Sequence, residues 1–248
     1  MMARLKRDPH KIIYCGSEVA RRLSVNCFQS GARGTILVFV FLGTLLAEEP
    51  AINGIPGNLS WQNAPATWHV AHSGELTIRS GKETDWFVDP FDNTVHNTAP
   101  ILLFMPADDY VLSTKVKVGF DAKWDAGALM VWADDHHWAK LSFELSPSKQ
   151  PTMVTVVTRG VSDDCNSVAI SGNTTYLQIA KSGPAYVFYF SGDGKAWRIL
   201  RVFTLGDGVK ARVGFESQSP AGSGTEVVFS DIHYSTRKIA NIYSSEGF

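Results

Sequence analysis

The residue types suited to chemistry concentrate between Thr84 and Asp164. In the run Trp138-Ala139-Lys140-Leu141-Ser142-Phe143-Glu144-Leu145, strand alternation puts Ala139, Leu141, Phe143 and Leu145 on one face. Trp138, Lys140, Ser142 and Glu144 fall on the other. A polar strand face that carries an indole suits a sugar, whose hydroxyls bond charged and amide groups while its C–H face lies on an aromatic ring. The alternative is a solvent-facing strand with a Lys–Glu pair two residues apart. Thr84-Asp85-Trp86-Phe87, with His96, forms a second aromatic and acidic cluster. On a strand only one of Trp86 and Phe87 can face a core. Arg159 closes the apolar run from Met153 and precedes Ser162-Asp163-Asp164. It suits either a bidentate clamp on a carboxylate such as that of a uronic acid, or an ion pair with Asp163 or Asp164.

Hydrolysis of a glycoside needs two carboxyls, roughly 5 Å apart for retention and about 6.5 to 9.5 Å apart for inversion. The Glu-x-Asp-x-x-Glu spacing that would place them on one strand is missing, so a catalytic Glu144 would need a partner such as Asp85 from elsewhere. Asp134-Asp135-His136-His137 resembles a metal-ligand set, but adjacent side chains on an extended segment diverge, which favours a hairpin loop. Calcium suits the oxygens of Asp89, Asp92 and Asn93, or of Asp163, Asp164 and Asn166, yet neither set has a supporting spacing, and no cofactor is expected. A glycine-rich phosphate cradle, a nucleophile elbow and a Cys–His pair are all missing.

The elements that position these residues read as strands. No dozen-residue window after Trp61 has helical apolar spacing, whereas short β-branched and aromatic runs recur. Strands are predicted at Leu76-Arg79, Ile101-Phe104, Tyr110-Val118, Ala128-Ala133, Trp138-Leu145, Met153-Arg159, Tyr176-Ala180, Ala185-Phe190, Trp197-Phe203, Ala211-Glu216 and Glu226-Tyr234. That many strands exceed one open sheet, so an all-β sandwich of two antiparallel sheets with jelly-roll connections is expected. Asp193-Gly194 should supply the turn of a hairpin between Tyr186-Phe190 and Ile199-Val202, with a structural rather than chemical role.

The whole chain of 248 residues has a formal charge of -1, 44% hydrophobic and 19% charged residues, which excludes disorder and gives no basic field for nucleic acid. Its N-terminal 47 residues are different. Seven Lys or Arg precede Ile36-Leu37-Val38-Phe39-Val40-Phe41-Leu42, and small or polar residues follow near Ala47, the layout of a signal peptide. Residues 1–47 are therefore expected to be a leader, 48–60 a Pro/Gly-rich linker or irregular lead-in, 61–236 the sandwich and 237–248 a tail. Cleavage would leave 16 basic and 22 acidic residues, a charge of about -6, with Cys165 as the single thiol. The expected product is secreted or periplasmic and free of the membrane; its oligomeric state is not encoded in any readable pattern.

Five groups of residues carry a family resemblance: Thr84-Asp85-Trp86; Ala126-Gly127-Ala128-Leu129-Met130-Val131; Trp138-Ala139-Lys140 with Glu144; Val156-Val157-Thr158-Arg159 with Ser162-Asp163; and Ser191-Gly192-Asp193-Gly194 with Trp197. In this order they resemble the YesU-like family (domain of unknown function 1349) of the concanavalin A-like lectin/glucanase group. The resemblance implies a jelly roll whose concave sheet is the sugar site, and similar domains are non-catalytic modules of β-xylosidases. The segments Asp89-Pro90-Phe91 and Val95-His96-Asn97 depart from the family pattern at the pocket rim. The leading expectation is a carbohydrate ligand stacked on Trp86 and Trp138 and hydrogen-bonded by Asp85, Lys140, Glu144, Arg159 and Asp163. A glycoside hydrolase or lyase using Glu144 and a purely structural or protein-binding sandwich are the alternatives.

Overall fold

The computed structural model describes residues 50–243, so the expected leader lies outside the described residues. Two seven-stranded antiparallel sheets pack face to face. In spatial order, sheet A runs β1 (Ser60–Gln62), β6 (Ile101–Phe104), β15 (Arg212–Gln218), β8 (Ala126–Asp134), β9 (His137–Leu145), β10 (Pro151–Arg159) and β11 (Val161–Ala169). Sheet B runs β14 (Arg198–Phe203), β13 (Ala185–Ser191), β12 (Thr174–Ser182), β7 (Tyr110–Val118), β16 (Glu226–Ser235), β3 (Leu76–Arg79) and β2 (Thr67–Val70). A small hairpin of β4 (Trp86–Val88) and β5 (Val95–Asn97) lies apart from both. This is the expected all-β jelly-roll sandwich.

Alternation sets the core. Ala139, Leu141 and Phe143 of β9 and Leu129 and Val131 of β8 meet Val116, Val118, Leu177, Ile179, Val227 and Phe229 of sheet B. On β7, Tyr110, Leu112, Thr114, Val116 and Val118 are buried and Lys117 is exposed, as its sequence pattern requires. Val111, on the opposite face, is covered as well: Ile239 and Ile242 of the C-terminal segment pack with it, Tyr189 and Trp197. Tyr189 Oη donates to the Ile242 carbonyl at 2.9 Å. At the other end, Ile52 and Leu59 are buried in the main core, so the expected linker is an irregular lead-in that belongs to the packed structure.

The strongly β-branched and aromatic strands fall where periodicity puts them, and five further strands do not announce themselves. Four of these, β1, β2, β4 and β5, have only three or four residues. The fifth is long. Ser162-Asp163-Asp164, outside the predicted strands, belongs to the nine-residue edge strand β11, whose polar composition hides it from hydrophobic patterning. Gly160, at φ +86, makes the tight connection from β10, and the register pairs Thr158 with Ser162, Val156 with Asp164 and Val154 with Asn166. The turn at Asp193-Gly194 forms as expected, with Asp193 Oδ1 accepting from the Lys195 and Ala196 amides, both at 2.9 Å.

Gly127 shows how tightly the sheets approach. A methyl there would run into Val227 and lie 2.8 Å from Val116 Cγ2. Gly127→Ala should therefore lower stability by about 1–3 kcal/mol through overpacking, seen as a lower midpoint in urea unfolding with an unchanged slope.

Candidate functional site

The face of sheet A turned away from sheet B is ordered in rows that the strand registers define. One row runs Gln218 (β15), Ala126 (β8), Glu144 (β9) and Thr152 (β10). The next contains Ile101, Glu216, Ala128, Ser142, Val154 and Asn166. A third contains Leu103, Gly214, Met130, Lys140, Val156 and Asp164, and a fourth contains Trp132, Trp138, Thr158 and Ser162. The bulky apolar end of this face is covered by the β4–β5 hairpin, whose Trp86 forms a separate core with Met130, Trp138, Val154, Val156, Ile101 and Leu103. The polar end, which carries Lys140, Glu144 and Gln218, stays open.

The opening is a cavity of about 580 Å³. Lys140, Glu144, Val154, Val156, Asp164, Asn166 and Gln218 contribute from the sheet, while Asp85, Phe87, Asp89 and His96 contribute from the hairpin side and Trp124, Pro147 and Pro220 from loops. The hairpin is anchored by the Val88 amide donating to Ser162 Oγ at 2.9 Å and by Trp86 Nε1 donating to the Ala99 carbonyl at 2.7 Å. Across the pocket, buried Asp125 holds the loop that presents Trp124: it accepts from the Asp121 and Ala122 amides at 3.0 and 2.8 Å and from Ser219 Oγ at 2.6 Å.

Lys140 is the centre of the floor. Its Nζ donates to Gln218 Oε1 at 2.6 Å, the Trp86 carbonyl at 2.7 Å and Asp85 Oδ1 at 3.3 Å. Glu216 Oε1 lies 3.8 Å away. Burial alone would push the ammonium pKa down, but the charges of Glu216, Asp85 and Glu144 outweigh it and hold it above the usual value. The carboxyls show the opposite balance. Burial raises Glu144 to about 8 despite the Lys140 charge, and the neighbouring Asp164, Asp85 and Glu216 add to the rise. Burial likewise raises Glu216 to about 7, again against Lys140, and it raises Asp164.

Several expected ligand residues are thereby relocated. Asp85 and Glu144 do meet at one pocket with Lys140, brought together by the hairpin folding back over β9. Trp86 and Trp138, expected to stack on sugar, are 1% and 0% exposed and pack edge to face on each other with ring centres 6.1 Å apart. They are the packing beneath the hairpin and offer no free ring face. Lys140 has an ammonium with three donors, all of them used. Arg159 is exposed at the far end of β10, outside the pocket lining, and forms no ion pair with Asp163 or Asp164 among the described residues. Asp163 pairs with Arg201 Nη2 at 2.6 Å instead of with Arg159, while its neighbour Asp164 reaches the pocket by strand alternation.

The sequence reading also missed Glu216, Gln218 and Trp124. The first two share a face with Gly214, opposite Val213 and Phe215, so the alternation test applied to β15 would have found them. Trp124 sits in a loop with no periodicity. It is 37% exposed and holds φ at +68, a strained backbone for a bulky residue, with its carbonyl accepting from Gln218 Nε2 at 3.1 Å. Asp134-His137 forms the expected hairpin turn. A two-residue connection and a bulge pair Trp132 with Trp138 and place Lys140 opposite Met130. Among the described residues no three His, Cys, Asp or Glu side chains converge as a metal-ligand set.

The raised carboxyls make stability depend on pH with a definite sign. An unfolded Glu ionises near 4.5, whereas folded Glu216 and Glu144 keep their protons to about 7 and 8. The folded state then binds more protons across that interval, so stability is greatest at its acid end and falls as pH rises to about 8, by on the order of a few kcal/mol. Asp193, lowered to about 2 by amide hydrogen bonds, contributes its opposite slope only below the ordinary Asp range. Thermal unfolding from about pH 5 to 8 should show the decline, and Glu216→Gln should flatten it. An equal slope in the variant would remove Glu216 from the account.

Similar architecture occurs in known proteins. The curated yeast protein "Regulation of enolase protein 1" (Saccharomyces cerevisiae) is 24% identical over 174 residues, covering 69% of this chain and 86% of that protein. A crystal structure of a functionally unknown Saccharomyces cerevisiae protein superposes with a TM-score of 0.66 at 23% identity, over 72% of this chain and 96% of that one. The xylan β-1,4-xylosidase of Bacillus halodurans matches with a TM-score of 0.57 at 16% identity, over 86% of this chain but 46% of the enzyme. Such similarities establish the fold. Residues 61–237 match the family described as "Protein of unknown function (DUF1349)", and the chain belongs to that family.

Proposed function

We propose that this protein is an exported, non-catalytic carbohydrate-binding domain that holds a sugar in the pocket on the outer face of sheet A. The observation that supports this most directly is the composition of the cavity: Trp124 and Phe87 on its walls and Glu144, Asp164 and Asn166 on its floor. Aromatic rings suit the C–H face of a sugar, and carboxyl and amide groups suit its hydroxyls. In this reading Trp124 takes the stacking role first expected of Trp86 and Trp138, and Lys140 organises the floor instead of contacting ligand. The export element rests on the basic and apolar N-terminal pattern.

One observation favours a second reading, a glycoside hydrolase or lyase. A Glu144 carboxyl raised to about 8 retains its proton near neutrality, as a general acid must. The two readings separate experimentally. For the binding domain, Trp124→Gly should weaken glycan affinity roughly tenfold. Because most of the indole is buried, folding of the variant is checked by thermal unfolding, with glycine chosen since it tolerates the left-handed backbone. Unchanged affinity in a folded variant would remove Trp124 as the platform. Release of reducing ends by the wild type, lost in Glu144→Gln while binding persists, would instead establish the enzyme.

A further inference from the structure

Most of the charged side chains that line the pocket are acids. Glu83, Asp85, Asp89, Glu144 and Asp164 line it, against Lys140 and His96. Lys140 brings no donor to a ligand, because its three N–H bonds go to Asp85, the Trp86 carbonyl and Gln218. Glu144 stands differently. It is 8% exposed, lines the cavity and receives no hydrogen bond from the described residues. Asp164 faces the same space from β11, near enough for its charge to act on Glu144. Between them β10 shows only Val154 and Val156 to the cavity.

A field of this sign repels uronates, sulfate esters and phosphates. A neutral sugar can hydrogen-bond these carboxyls but does nothing to offset the surrounding negative charge of the lining acids. A ligand ammonium supplies both the donors and the charge, and the rings of Trp124 and Phe87 attract a cation as well as a sugar face. We infer that the pocket selects an amino sugar, seating its protonated primary amine at Glu144 within the negative field of Asp164 and Asp85, with the sugar ring against the aromatic wall. This rests on the carbohydrate-binding reading above and narrows its ligand class.

The seat carries a proton signature. The charged groups facing Glu144 are Lys140 on its own strand, Asp85 ahead of β4, Glu216 on β15 and Asp164 on β11. The neighbouring strands place Ala126 and Thr152 beside it, neither of which titrates. At about pH 6 the free carboxyl keeps its proton, and a bound ammonium favours the carboxylate, so binding expels that proton.

Calorimetric titration of the purified protein at about pH 6, in two buffers of different ionisation enthalpy, tests the inference with three probes. These are β-1,4-linked tetraglucosamine, its fully N-acetylated counterpart and xylotetraose. The amine should bind at least about tenfold tighter than the other two and release close to one proton. Glu144→Gln should lose both the preference and the release, and Asp164→Asn should weaken the preference, with folding of each variant checked by thermal unfolding. Equal affinity for all three probes would overturn the amino-sugar assignment and leave the carbohydrate reading standing. So would amine binding that survives unchanged in both folded variants, because the seat would then lie elsewhere. Binding of none of the three, with silence on a broad glycan array, would overturn both.

Discussion

A buried ammonium holds the outer face of this sandwich together. Lys140 joins three segments that are far apart in sequence: its own central strand, the hairpin through Asp85 and the Trp86 carbonyl, and β15 through Gln218. Stripping a lysine of water is tolerable only when every N–H finds an acceptor and negative charge stands near, and both conditions are met here. The arrangement constrains its neighbours in turn. Gln218, with its oxygen committed to Lys140, has its amide free to hold the Trp124 carbonyl, so one side-chain pair fixes both the floor and the far wall. Asp85 and Glu216 sit near the charge, while Glu144 is left short of donors.

The hairpin β4–β5 explains why half of this face is core and half is site. Its Trp86 closes over Trp138, Met130 and the valines of β10, an apolar contact that gives the hairpin a reason to fold back. Its other side chains then become one wall of the cavity. The indoles that composition marks as sugar platforms thus carry the packing, and the aromatic rings that line the cavity are Phe87 and a loop tryptophan held in a strained conformation.

The sandwich was readable from sequence because short β-branched and aromatic runs recur between turn signals, with clear alternation on β7. Tyr110–Val118, Leu76–Arg79 and Ile101–Phe104 appear with their predicted limits. The site was half readable. Glu144 and Lys140 share a strand face, so period two sufficed to pair them. Asp85 was recognisable as a polar residue beside an aromatic pair, although which strand it would meet was not. Trp124 and Asp164 depended on information that periodicity does not carry: a left-handed loop residue fixed by distant hydrogen bonds, and an edge strand made by pairing rather than by hydrophobicity. The burial of Trp86 and Trp138 likewise follows from a tertiary fold-back, not from either residue's local surroundings.

Asp164 and Asn166 reach the cavity from β11, the last strand of sheet A, whose ladder runs to β10 alone. Lys140 and Glu144 stand on β9, flanked by a strand on each side. An edge strand can fray or slide without disturbing the sheets behind it, whereas a central strand cannot. The polar groups of one chamber thus differ in mechanical stiffness: a yielding lip faces a rigid bed.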